Sequence, residues 1–251
     1  MKTKRIVILG HAVGDERGKK SGGQLGSQSS EELRLQEWYN RSLGWTSVLR
    51  AKNKSLRAKI ALFMLKLVLN ICIGYDQLKR TTLFLLANNT GWNINKINKP
   101  CATDCSALVS VVLNFCGVKI SKDIYTGNMV SMIMATGLFK ELTDKKYLTS
   151  SDYLEEGDIL VGPGHTAAVV EVKEIPKLER TLMNTSPALK GDDVKALQTV
   201  LKEHGFYNGS INGTFSSRTE KALIRYQSTH GLTADGICGK KSAESLGFFW
   251  N

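Results

Sequence analysis

The chain has 251 residues, 42% of them hydrophobic, with a formal net charge of +11 and a pI of about 9.4. That is enough chain for one large or two small domains with a proper core, and the charge suits a polyanion: nucleic acid, an anionic membrane surface, or a cell wall carrying phosphate and carboxylate groups. No nucleic-acid module is visible, five irregularly spaced cysteines make no disulfide framework, and the apolar run 60–73, broken by Lys66 and Asn70, is shorter than the ~20 residues of a membrane helix.

Residues 5–9 read as a short buried strand. Only four apolar residues, Ile6 to Leu9, stand between the basic start and Gly10-His11, too few for a secretion signal, so a cytoplasmic protein is expected. A glycine-rich loop covers residues 10–30. Residues 31–40 and 47–86 read as mainly helical, with an amphipathic helix over 55–73 whose basic face is solvated. Asn88 to Trp92 break this pattern, and Trp92 is expected to pack in the core or a loop rather than stand beside the cleft. Residues 117–156 read as helical with turns, and Met129, Val130, Met132, Ile133 and Met134 form a core face.

Between these helical stretches stands Thr103-Asp104-Cys105-Ser106, followed by apolar residues at helical spacing: Leu108, Val109, Val112, Leu113 and Cys116. Asp104 is a good N-cap, which puts Cys105 at the first helical position. The positive end of the helix is expected to lower the thiol pKa. The candidate base is His165, in a strand, Gly162-Pro163-Gly164 turn and second strand that begins at the histidine. A cysteine opening a helix and a histidine opening a strand form the papain-like layout. Cys101 and Cys105 could hold half a metal site, but no second Cys/His pair has ligand spacing, so neither zinc nor a cofactor is expected.

Asp104-Cys105-Ser106, Gly157-Asp158-Ile159 and Gly164-His165-Thr166, in this order, resemble the NlpC/P60 cysteine peptidases and the related CHAP amidohydrolases, which cut peptidoglycan. The loop resembles the opening of phage lysins of this class through Asp15, Glu16, Gly18, Gly22, Gly23, Gly26 and Gln28, departing from them at Ser27. Asp15 and Glu16 are then candidate partners for a substrate amine. Gln28 and the Cys105 N–H are candidate oxyanion donors. Glu171 follows His165 by six residues on one strand, roughly 20 Å away, too far to orient it. A turn near Lys173-Glu174 would bring Glu179, or failing that Asn184, opposite His165 as the third catalytic member.

Pro176 and Pro187 bracket a linker. Beyond it, Val194, Leu197 and Leu201 mark one amphipathic helix ending at Gly205. Ser217-x-x-Glu220 reads as a capping box opening a second, which ends at Gly231, and a third spans 242–246. His204 and His230 precede helix-ending glycines as caps. With Leu197-Gln198, Gly213-x-Phe215, Tyr226-Gln227 and Asp235-Gly236, the segment resembles the three-helix peptidoglycan-binding domain, apart from Tyr226 in place of the usual phenylalanine.

The expected architecture is an α+β papain-like catalytic domain over residues 1–175, with a helical N-terminal half and a small antiparallel sheet. A linker (176–187) and an all-α three-helix domain (188–251) complete it. The two resemblances together imply an endolysin-like, monomeric hydrolase acting on bacterial peptidoglycan after release from the cell that makes it. It would bind no nucleic acid and insert stably in no membrane. The reaction expected is amide hydrolysis by Cys105 and His165, as an endopeptidase. The alternatives are an N-acetylmuramoyl-L-alanine amidase with the same pair, a non-catalytic wall-binding protein, and a cysteine transferase.

Overall fold

The computed structural model describes residues 2–250. The chain divides into two compact units: Ile6–Lys173, and residues from Glu174 onward together with 2–5.

The larger unit is a mixed α/β structure. Its strands are β1 (Thr3–Ala12), β2 (Leu33–Glu37), β3 (Ser47–Ala51), β6 (Phe139–Leu142), β7 (Ile159–Gly162) and β8 (His165–Leu178). They form one sheet in the order β2-β1-β8-β7-β3-β6. Pairs β1/β2, β3/β6, β3/β7 and β7/β8 are antiparallel. A separate parallel pair joins β4 (Ile73–Tyr75) to β5 (Cys101–Thr103). The helices are α1 (Lys54–Val68), α2 (Thr82–Asn89), α3 (Cys105–Phe115), α4 (Met129–Met134) and α5 (Lys145–Leu148). Among the described residues no helix is long and apolar enough to cross a membrane.

Side-chain alternation along the strands makes two cores. Leu49, Ala51, Ile159, Val161, Ala168 and Val170 face α1 and α3. Val7, Leu9, Val48, Leu160, Ala167 and Val169 face Trp45, Trp38 and Tyr39 on the other side. Helix α3 is buried all round, from Cys105 to Leu113. A helix this apolar is a core element, each fully buried Val or Leu contributing about 1.5–3 kcal/mol. Trp92 packs against Phe84 and Phe115 in the helical core.

The N-terminal half is less helical than its sequence predicts. Residues 33–37 and 47–51 are strands, and a further strand interrupts 117–156. β3 is buried along its whole length, Arg50 included. Such a strand shows no polar alternation, so a short apolar run of this kind cannot be told from a helix by period. Arg50 is tolerated there because its Nε and Nη2 each donate to Asp158 at 2.7 Å. Nη2 also donates to the Tyr153 carbonyl, and Asp158 accepts the Glu155 N–H at 2.8 Å. Asp158, read above as part of a motif, thus clamps the approach to β7 onto β3. Next to it Gly157 has φ +82°, and a Cβ there would strike the backbone of Arg57, so only glycine fits.

The smaller unit contains α6 (Asp192–Glu203), α7 (Ser217–Thr229) and α8 (Lys240–Ser245), with β9 (Phe249–Trp250) parallel to the end of β8. β8 runs through Pro176 to Leu178, where a linker was expected. The capping box is not formed: Ser216 is the N-cap residue of α7, without a side-chain bond, and Glu220 instead accepts from Asn184 at 3.1 Å. His204 and His230 are the C-cap residues of α6 and α7. Gln198 and Gln227 do matching work. The Gln198 amide reaches Asn212, Thr214 and Thr219, while its carbonyl accepts the Asn212 and Gly213 N–H groups. The Gln227 amide reaches Asp235, Ile237 and Ser242, and its carbonyl accepts the Gly236 N–H.

Replacing Asp158 by alanine leaves the Arg50 guanidinium buried and without its bidentate partner. Chemical denaturation of Asp158→Ala is expected to show a loss of about 3–5 kcal/mol in the larger unit.

Candidate active site

Three elements meet at one corner of the sheet. β1 carries His11 as its second-last residue, β8 begins on His165, and α3 begins on Cys105. The local sequence sets each in place. Asp104 is extended and its carboxylate accepts the Ala107 N–H at 2.8 Å, so α3 starts at Cys105 as expected. Gly164, at φ +68°, turns β7 into β8 immediately before His165. Val7, Leu9 and His11 share a strand face by two-residue periodicity, which puts the His11 ring below the sheet with Tyr39 and Trp45.

His11 Nδ1 and His165 Nε2 are 2.8 Å apart, with the rings edge to face. The Trp45 ring lies 6.1 Å from that of His165. The Cys105 sulfur lies against the backbone N–H of Thr166, the residue after His165, and against that of Ser106. Sulfur and imidazole share this corner but make no hydrogen bond to each other among the described residues. Catalytic contacts are often loose in an unliganded site.

Burial dominates the electrostatics. Cys105 is 7% exposed. Desolvation, followed by the neighbouring Asp104 carboxylate, pushes its thiol up to about 11, with the Thr166 and Ser106 N–H groups offsetting only part. The acidic thiol expected from the helix terminus is therefore not formed. His165 is lowered to about 3, first by burial and then by His11, Arg41, Lys20 and Arg34. His11 is lowered to about 4, first by burial and then by Arg34. The resting site holds a thiol and two neutral imidazoles. Because neither ring carries a second proton, one donates and the other accepts in the 2.8 Å contact.

The other expected site residues have different partners. Asp15 is buried and accepts from the Arg17 and Lys19 N–H groups and from the Arg17 guanidinium, so it closes its own loop. Glu16 lies 3.7 Å from Arg17. The Gln28 side-chain amide donates to Gly26 at 3.0 Å, and it points to its own loop rather than to an oxyanion. Glu179 belongs to the other unit, paired with Lys2 at 3.0 Å and Lys177 at 3.2 Å. The turn that was to bring Glu179 opposite His165 does not exist, because β8 continues past Lys173. The residue that bonds His165 is His11. The signal for it was the extension of β1 by one alternation beyond Leu9.

A family model described as an endolysin-like domain matches residues 9–174, and one described as a putative peptidoglycan binding domain matches residues 190–246. The chain belongs to the endolysin-like domain family, with a peptidoglycan-binding type 1 module after it. The matching family is not the NlpC/P60 one that the motifs resemble. Among curated proteins, the chain is 49% identical over 70 residues to the N-acetylmuramoyl-L-alanine amidase CwlM of Mycobacterium tuberculosis, covering 28% of this chain and 17% of that one. It is 43% identical over 56 residues to a spore cortex-lytic enzyme of Bacillus cereus, covering 22% of each. It is 37% identical over 67 residues to the N-acetylmuramoyl-L-alanine amidase CwlL of Bacillus licheniformis, covering 24% and 19%. The chain thus spans about a fifth of the length of these relatives. A crystal structure of the SleB N-terminal domain is similar at 35% identity, covering 28% of this chain and 90% of that one, with a TM-score of 0.26.

Two predictions follow from the buried neutral pair and thiol. Unfolded histidines titrate near 6.5, above the folded values of about 3 and 4, so the unfolded chain binds more protons between those limits. Stability is therefore full above pH 6.5 and falls as the pH drops towards 4. In His11→Gln this acid slope, read from denaturation midpoints across pH, is expected to be shallower than in the parent chain. Titration of thiolate absorbance, with Cys105→Ser as the blank, is expected to place Cys105 above an ordinary thiol. A Cys105 ionisation near neutral pH contradicts the burial argument.

Proposed function

We propose that the chain is a peptidoglycan hydrolase that cleaves an amide bond with Cys105 as nucleophile, His165 as base and His11 as the residue that orients His165. The observation that carries this reading is a cysteine at a helix start lying against the N–H of Thr166, whose preceding residue, His165, has its imidazole fixed at 2.8 Å by a second imidazole. Cysteine at a helix start and histidine at a strand start form the papain-like relation.

The neutral rings define the proton path. His165 donates its Nε2–H to His11 Nδ1, which leaves His165 Nδ1 as the free lone pair. The thiol gives its proton to that nitrogen as sulfur attacks the amide carbonyl. The C–N bond then breaks, and the same proton passes to the leaving nitrogen. Water, deprotonated by His165, hydrolyses the thioester and restores the thiol. His11 resists a second proton through its burial, so it remains an acceptor throughout.

The relatives named as N-acetylmuramoyl-L-alanine amidases favour the amidase reaction over the endopeptidase one. The match to a peptidoglycan-binding family supports residues 190–246 as the part that holds the enzyme on the insoluble wall and raises its local concentration there.

Purified walls digested by the full chain and analysed by mass spectrometry are expected to show new termini at one amide bond, between muramic acid and L-alanine for the amidase. Cys105→Ala is expected to release none while pulling down walls as before, and wall cleavage by that variant would overturn the mechanism. His11→Ala is expected to lower kcat by roughly tenfold or more with less effect on KM, because it frees the base to rotate.

A further inference from the structure

The site is ringed by cations that the proposed chemistry does not use. Lys20 is exposed, donates to the Val13 carbonyl and lies 5.4 Å from the Tyr75 ring centre. Arg34 stands opposite His11 in the β1/β2 register, exposed, with one bond to the Gln36 side chain at 3.1 Å. Arg41 lies 4.9 Å from the Trp45 ring centre and donates to the Pro163 carbonyl at 3.0 Å, two residues before His165. Among the described residues none of the three is ion-paired with a carboxylate. Four carboxylates of the neighbouring loops are already engaged, Asp15 and Glu16 with Arg17, Asp76 with Lys79, and Asp104 with Arg80, and the exposed Glu31 makes no ion pair with Arg34 among the described residues.

Three cations gathered without a counter-charge repel one another and oppose any positive charge on His165. Yet the proposed mechanism, on which this inference rests, makes His165 transiently an imidazolium. An anion on the substrate removes that conflict. We propose that Lys20, Arg34 and Arg41 form a carboxylate-recognising rim, and that the substrate is an acidic peptide with a free carboxylate close to the scissile amide on its peptide side. The guanidinium groups supply planar paired donors for that carboxylate, and Lys20 supplies a point charge. Bound there, the carboxylate favours the charged form of His165 at the moment of attack. Recognition therefore acts on kcat as well as on KM.

The test uses pairs of soluble muropeptides that differ only in a carboxylate or carboxamide next to the scissile bond. For the parent chain, kcat/KM is expected to favour the carboxylate by about tenfold or more, the scale of one well-placed ion pair. Arg34→Gln, which removes a charge that holds no backbone group, is expected to bring the ratio towards one, and Arg34→Lys to retain most of it. Arg41→Gln is expected to do the same, and Arg41→Lys controls for the loss of its bond to Pro163. Full-length Cys105→Ala provides a binding readout: its Kd is expected to favour the carboxylate, and Arg34→Gln added to it to reduce that preference. Equal use and equal binding of both muropeptides, or a ratio untouched by the substitutions, would overturn the rim. If the parent chain hydrolyses both equally and Cys105→Ala hydrolyses neither, the hydrolase reading stands and this inference alone falls.

Discussion

The site depends on the position of β8 within the sheet. This strand is flanked by β1 on one side and β7 on the other. Its first residue, His165, consequently meets His11 near the end of β1, although the two are 154 positions apart in the chain. Register does the rest. A slip of one residue along β8 would turn His165 to the opposite face of the sheet, away from His11 and Trp45. The Arg50–Asp158 clamp and the glycine at position 157 hold the approach to β7, and through it the hairpin that begins β8.

Two influences compete at Cys105, and their sizes decide the outcome. A helix terminus stabilises an adjacent charge by about 0.3–1 kcal/mol, rarely ~2. The rise of the thiol from 9.0 to about 11 corresponds to roughly 3 kcal/mol against the thiolate. Burial and the Asp104 carboxylate prevail. Cys105 therefore rests as a thiol, and any attack by its sulfur under the proposed reading would have to be coupled to loss of that proton. The neutral imidazoles follow from the same cause, since the burial that raises the thiol also strips the charge from His11 and His165.

Much of this was legible in the sequence where the signal is local. The Asp104 cap, the cysteine at the helix start, the Gly-Pro-Gly turn and the strand opening at His165 are all short-range patterns, and the structure forms them. β2 and β3 were not legible. Leu33-Arg34-Leu35-Gln36 alternates over only four residues at the sheet edge, and β3 is buried throughout and shows no two-residue period at all. His11 stayed hidden for a different reason. Its meaning lies in a partner from the far end of the domain, and no spacing rule links the first strand to the last. A charged residue of the glycine-rich loop misled in the opposite direction: Asp15 is an anchor of its own loop, engaged by Arg17.

The paired glutamines of the smaller unit carry a consequence for how such modules diversify. Gln198 and Gln227 each turn inward and tie up the backbone of the loop after their helix, so the residues that make the module recognisable are those that hold it together. The outward row of α7, Arg218, Lys221 and Arg225, is exposed and lies outside that core, with Arg225 donating to the Phe206 carbonyl. The core face and the charged face thus lie on opposite sides of the same helix. Substitution on the outer side therefore leaves the inward bonds of Gln198 and Gln227 untouched, and the family signature survives changes in surface charge.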